Sequence, residues 1–204
     1  LQFAATSLRR DREIVLTAVN QSGLALKFAA ASCRCDPDIV LKAVKQHGLA
    51  LRWAGESFRR DHKLVLTAVG RHGFALQYAA DSLRHDREVV LAAVKENGMA
   101  LQFAALTLRG EQEIVSAAVQ QKGGALKHAA ENCRGNREIV LKAVESDGWA
   151  LEHASATCKS DREIVLAAVR HTVGALDYAA DELLEDTSFP MWAKAEHFLV
   201  KLTL

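Results

Sequence analysis

The chain has almost no excess of charge: its 204 residues carry 26 Lys and Arg against 25 Asp and Glu, a formal net charge of +1. A surface mixed in sign lacks the one-signed field that draws a protein onto nucleic acid or an anionic membrane. Long apolar runs are missing as well. The longest stretch without a charged side chain, residues 14–26, has 13 residues, short of the roughly 18 to 20 that cross a bilayer. The first residues, LQFAATSLRR, include no initiator Met and no signal-peptide layout, so they say nothing of compartment.

Catalytic signatures are absent too. No phosphate-cradling Gly-rich loop, nucleophile elbow, HExxH or spaced metal-ligand set occurs, so no catalytic, metal or cofactor residue is expected. Of the four cysteines, Cys33, Cys133 and Cys158 fall in a column that elsewhere holds Leu8, Phe58, Leu83 and Leu108, and they read as small core residues. Cys35 stands beside Cys33, and that pairing recurs nowhere, so neither a disulfide framework nor a zinc site is implied. Reduced thiols, and with them a reducing intracellular compartment (cytoplasm or organelle interior), are expected. Among the histidines, His128 and His153 replace the aromatics of the Phe3 column, while His47 and His72 precede glycines. These are core or helix-end imidazoles rather than general bases.

What the sequence does have is a period. Leu1, Leu26, Leu51, Leu76, Leu101, Leu126, Leu151 and Leu176 stand 25 residues apart, and their surroundings repeat in step. Such self-similarity marks units too small to bury their own apolar face, which must stack on one another.

Residues 11–23, DREIVLTAVNQSG, show the first half of a unit. Asp11 is an N-cap and Gly23 a stop signal. Asp36, Asp61, Asp86, Asn136 and Asp161 recur at the cap, and Pro37 follows Asp36 in the first helical position. Gly23, Gly48, Gly73, Gly98, Gly123 and Gly148 read as left-handed residues closing a helix of about 11 residues. Ile14, Val15, Leu16, Ala18 and Val19 cover so wide an arc that neighbours on two sides are expected. The second half, LALKFAAASCR, fits a second short helix. Its Ala column (Ala4, Ala29, Ala54, Ala79, Ala104, Ala129, Ala154, Ala179) would let helices cross closely. Repeat five departs most, with Gly110, Glu111 and Ser116, and its cap should be weaker.

Stretches such as DREIVLAAV (161–169), NGMALQFAA (97–105) and DREVVLAAVKENG (86–98) give residues 1–186 a layout that resembles a repeat family known as domain of unknown function 4116. That resemblance implies tandem helical arrays, mainly in protist and algal proteins, with no assigned activity or catalytic residues. The expected fold is all-α: an α-solenoid of about seven 25-residue helix-turn-helix repeats over residues 1–186, its first unit incomplete. Leu1 and Phe3 correspond to Leu26 and Phe28, so a further repeat or a partner is expected over that end. Residues 187–204 read as a C-terminal cap, sealed by Met191 and Trp192, and a β-strand in which Phe198, Val200 and Leu202 would pair with another edge.

Three columns are candidate sites. Arg9, Arg34, Arg59, Arg84, Arg109, Arg134 and Lys159 form a basic ladder that could track phosphates; the favoured reading pairs each cation with a nearby acid, as Arg9 with Asp11. Leu24, Leu49, Phe74, Met99 and Trp149 follow the glycines and are expected to pack back on the helix just closed. Of these, Phe74, Met99 and Trp149 are large enough to anchor a partner as well. The strip that changes between repeats, Lys27, Arg52, Gln77, Gln102, Lys127 and Glu152, beside Thr17, Lys42, Thr67, Ala92 and Lys142, is the best candidate for recognition. The expected function is a non-catalytic scaffold that binds or bridges other proteins, as a peripheral subunit of a larger assembly. The alternatives are a single-stranded RNA-binding repeat protein and, from the algal resemblance alone, an accessory subunit of a plastid or other membrane complex.

Overall fold

The computed structural model describes residues 1–191 and 193. Among them every regular element is helical, and the protein is an all-α repeat solenoid. The chain divides into two compact units, Leu1–Ala105 and Leu106–Leu204, each built on the same repeat plan.

A ten-residue α-helix opens each repeat. In the first unit these long helices are Arg12–Gln21, Pro37–Gln46, His62–Arg71 and Arg87–Glu96; in the second they are Gln112–Gln121, Arg137–Ser146 and Arg162–His171. The predicted caps start them. Asp36 Oδ1 accepts from the N–H groups of Asp38 and Ile39 at 3.0 and 3.1 Å, and Asp11, Asp61, Asp86, Asn136 and Asp161 cap in the same way. Each cap satisfies donors that the helix cannot, at a gain of about 1 kcal/mol. Glu111 makes no cap hydrogen bond, which is the weakness expected of repeat five.

The glycines after these helices are not left-handed: no described glycine has positive φ. Each long helix ends one residue earlier, on Ser22, His47, His72, Asn97, Lys122, Asp147 or Thr172, in extended conformation with φ between −149° and −156°. Val173 opens the last six-residue 3-10 segment, and a glycine opens each of the others, as in Gly23–Phe28 and Gly48–Trp53. The glycine's smallness is what matters. A Cβ on Gly23 would lie 2.3 Å from the carbonyl oxygen of Ala43, and one on Gly48 would lie 2.2 Å from that of Ala68. Backbone meets backbone there, which only glycine permits. The glycine N–H is served from the following repeat: Gly48 donates to His72 Nδ1 at 3.2 Å, Gly123 to Ser146 Oγ at 3.2 Å, and Gly73 to Glu96.

The expected second helix is split. The 3-10 segment gives way to two extended residues, Ala29 and Ala30 in the first repeat (ψ 151° and 162°), before a four-residue α-turn, Ala31–Arg34. The cause is a bond between repeats. Ala30 N–H donates to Arg9 carbonyl oxygen at 2.9 Å, and the bond recurs from Gly55 to Arg34, Ala80 to Arg59 and Ala105 to Arg84, then in the second unit from Ala130 to Arg109, Ser155 to Arg134 and Ala180 to Lys159. A continuous helix would turn that N–H along its own axis. The Ala column (Ala29, Ala54, Ala79) therefore sits where an extended link is buried, not where two helices cross.

Within each unit the long helices stack on one another, the 3-10 segments stack on one another, and each long helix also packs on the 3-10 segments of its own and the preceding repeat. Val19, Ile39, Val40, Val44, Leu51, Leu76, Ile114, Leu126 and Leu151 are wholly buried between the rows. Past Asp186 the spacing continues further than its sequence suggests: Phe189 and Ala193, one period after Ile164 and Ala168, are 1% and 0% exposed. Phe189 seals this end, whereas Met191 is 73% exposed. Trp192 and the predicted strand residues Phe198, Val200 and Leu202 lie outside the described residues.

Candidate functional site

The row of 3-10 segments gathers the most chemistry. Lys27, Arg52 and Lys127 are exposed on it, with Gln77 and Gln102 half-buried. The next position carries a ring: Phe28, Trp53, Tyr78 and Phe103 in the first unit, His128, His153 and Tyr178 in the second. Lys27 Nζ lies 5.5 Å from the Phe28 ring, and the Arg52 guanidinium lies 5.7 Å from both Trp53 and Tyr78. At such distances cation and ring attract by about 0.5–1 kcal/mol at an exposed site. Gln77 and Gln102 instead turn back on their own segments, donating at 3.0 Å to the carbonyls of Phe74 and Met99. The strip expected beside them lies on other elements: Thr17, Lys42, Thr67, Ala92 and Lys142 all belong to long helices.

Two residues of the apolar column reach forward to the next repeat. Phe74 meets Phe103 edge-on at 5.7 Å and Trp149 meets Tyr178 edge-on at 6.1 Å, in each case a ring of the next repeat. Gly174 clears space for the Trp149 indole, since a Cβ there would stand 2.6 Å from it. Phe74 and Met99 are half-buried; Trp149 keeps 48% of its surface exposed and is the candidate anchor most open to a partner.

Each ladder residue from Arg9 to Lys159 is half-buried. Arg9 does not pair with Asp11. Its Nε and Nη2 donate to the carbonyls of Ala4 and Gln2, both at 2.9 Å. Arg84 binds Asp81 at 2.9 Å. The Nε atoms of Arg34, Arg59, Arg84 and Arg134 are buried without a hydrogen-bond partner.

Ion pairing between repeats falls to a different column, which the sequence reading missed. Arg12 binds Asp36 at 2.9 Å and Asp38 at 2.5 Å in the next repeat; Arg137 binds Asp161 at 2.9 Å and Glu163 likewise. His62 stands 3.5 Å from Asp86 in the same way. The signal was present in the recurring DRE motif, whose acids fall 24 and 26 residues beyond its arginine. The Ile39 N–H and then Arg12 hold the Asp36 carboxyl below its usual range, so one carboxylate both caps its helix and ties it to its neighbour.

Two imidazoles, His47 and His72, stack at 4.0 Å with ring planes 15° apart. His72 Nδ1 accepts from Gly48, and His47 Nδ1 is buried without a partner. Burial, then the neighbouring His72, pushes His47 below the ordinary imidazole value; burial does the same to His128 and His153. These groups stay neutral in the folded chain where the unfolded chain already binds protons. Stability is therefore complete above the unfolded value of about 6.5 and falls as pH drops from there towards the folded values. Unfolding midpoints measured across that range should decline, and His47→Gln should flatten part of the decline.

Concavities accompany these rows among the described residues. Two lie on the long-helix side, about 660 Å³ beside Arg12, Leu41 and Lys45 and about 610 Å³ beside Arg137, Asp161 and Arg170. A third, about 270 Å³, lies in the second unit among Leu106, Arg109, Lys127, His128, Ala129, Ala130 and Arg134. All four cysteines are free, Cys35 alone exposed. Among the described residues no three His, Cys, Asp or Glu side chains gather as a metal site, and no helix is long and apolar enough to cross a membrane.

The model of one family, described as Domain of unknown function (DUF4116), matches the chain seven times in overlapping register, at residues 1–32, 11–59, 36–84, 61–109, 86–134, 111–156 and 136–184. The chain belongs to this DUF4116 family. No curated protein and no solved structure matches it. The successive DUF4116 matches from residue 11 onwards start 25 residues apart, each of those starts falling on a cap position from Asp11 to Asn136. The family's unit thus coincides with the helix starts seen in the fold.

Proposed function

We propose that this DUF4116 array is a non-catalytic module that binds other proteins, taking an extended segment of a partner along the row of 3-10 segments of its first unit. The observation that carries this reading is the alternation of cations and rings along that row, where Lys27 lies over Phe28 and Arg52 over Trp53 and Tyr78. Repeats stacked on an invariant core present such positions at regular steps to a long ligand.

The same alternation suits a single nucleic-acid strand, whose bases stack on rings while cations follow its phosphates. Charge along the column favours a polypeptide. In the first unit it reads Lys27, Arg52, Gln77, Gln102 and in the second Lys127, Glu152, Asp177, and a uniformly anionic backbone gains nothing from the acidic residues of the second unit. A polypeptide, which can carry either sign, suits the composition of each unit.

Cross-linking and co-purification with the tagged full chain test this. One protein partner is expected, and Arg52→Glu should reduce its recovery at least tenfold. Retrieval of RNA that nuclease removes and Arg52→Glu abolishes would transfer the row to nucleic acid; recovery of the chain alone would overturn both readings.

A further inference from the structure

The cavity of about 270 Å³ in the second unit occurs where the repeat pattern breaks. At the corresponding position four repeats have a carboxylate, Glu56, Asp81, Glu131 and Asp181, and three a small side chain, Thr6, Ala31 and Ala156; here alone stands a large apolar residue, Leu106, 77% exposed. Asp81 binds Arg84 at 2.9 Å, whereas Leu106 brings no carboxylate to the cavity. Locally the short α-turn of other repeats is reduced to the 3-10 turn Leu108–Gly110, and Asn132 and Cys133 donate to the Gly110 carbonyl at 2.9 and 3.3 Å.

The result is a concavity lined by three cations, Arg109, Lys127 and Arg134, an imidazole, His128, and no carboxylate. Arg134 Nε and His128 Nε2 are both buried without a hydrogen-bond partner. Desolvated donors left unsatisfied are costly, and an anion that draws on the same side chains offsets the cost. A guanidinium fork, an ammonium and a neutral imidazole are the donor set that phosphoryl oxygens recruit. Burial, and then Lys127, Arg109 and His153, keep His128 below its ordinary value, so it stays a neutral ring beside the cations. The volume lies just under the roughly 300–1,000 Å³ of sites for drug-sized ligands, which suits a small charged group.

We infer that Arg109, Lys127, His128 and Arg134 form a binding site for a doubly charged phosphoryl group, that of a phosphomonoester. The site does not depend on the polypeptide reading. Its phosphoryl group can belong to a free small molecule or to a phosphorylated side chain of a bound segment.

Calorimetric titration of the full chain with inorganic phosphate, against chloride at equal ionic strength, tests the site. Phosphate is expected to bind, with Arg134→Gln weakening it at least tenfold. Leu106→Glu, which places at an exposed position the carboxylate found in four other repeats, should abolish it without lowering the unfolding midpoint. Arg170→Gln, on the long-helix side, should leave it unchanged. No heat from millimolar phosphate, or equal binding by all three variants, would overturn the inference. O-phosphoserine binding more tightly than phosphate would assign the group to a side chain, and equal affinity would assign it to a free ligand. An oligonucleotide without terminal phosphate that binds in place of both would replace the dianion by a phosphodiester and overturn it too.

Discussion

Gly48→Ala is expected to destabilise the chain by about 3 kcal/mol, the upper end of the range for overpacking. Its new Cβ would stand 2.2 Å from the Ala68 carbonyl oxygen. That oxygen already accepts the His72 N–H at 3.0 Å, so it cannot retreat without loosening the end of the next long helix. Gly70→Ala should act in the opposite direction. Nothing lies within 4 Å of its Cβ position, and it falls inside the helix His62–Arg71, where alanine is favoured by up to about 1 kcal/mol. Gly48→Asn separates close approach from a left-handed cap. A left-handed position tolerates asparagine, whereas a crowded one rejects it at least as strongly as alanine. Urea unfolding of the three variants decides the matter; an Asn chain as stable as the parent would sink the close-approach account.

That glycine also shows how far the fold was legible. Helix starts were readable because an Asp cap acts on donors two and three residues away, and its chemistry is local. The glycine column was misread because one residue type answers two physical demands, a positive φ or a missing Cβ, and only the position of Ala43 or Ala68 distinguishes them. The second helix was misread for a related reason. Its apolar spacing suits an α-helix, but the bond from Ala30 to Arg9 is made to another repeat, and no local propensity reports it.

The candidate site was legible in part. Exposure of Lys27, Arg52 and Lys127 follows from the period, as does their regular spacing. Their stacking on Phe28, Trp53 and Tyr78 depends on how far one 3-10 segment is offset from the next. The inter-repeat pairing of Arg12 and Arg137 was hidden because the motif's own acids, Asp11 and Glu13, offered a nearer partner for Arg9. At Leu106 the sequence signal was one large apolar residue in a column of acidic and small ones, and it gained meaning only once Arg109 and Arg134 were found on the same cavity.

Leu51→Ala should lower stability by about 4 kcal/mol, in the upper half of the range for large-to-small core changes. Where in that range a site falls depends on how freely its surroundings collapse. Leu51 is wholly buried, and its 3-10 segment is held by its own long helix Pro37–Gln46, by the following helix His62–Arg71, and by the 3-10 segments before and after it. Each of these is fixed in turn by a cap, a glycine contact or the Ala30-type bond, so the cavity stays open. Leu8→Ala, at a position 42% exposed, should cost less than about 1 kcal/mol because a large part of its surface stays in water. In a stack whose repeats touch only their neighbours, damage stays near its source. Hydrogen exchange in the Leu51→Ala chain should therefore rise first in residues 37–71, ahead of Arg87–Glu96 in the same unit. A uniform rise across that unit would show that it opens as one block, and that the 25-residue repeat is a unit of sequence rather than of stability.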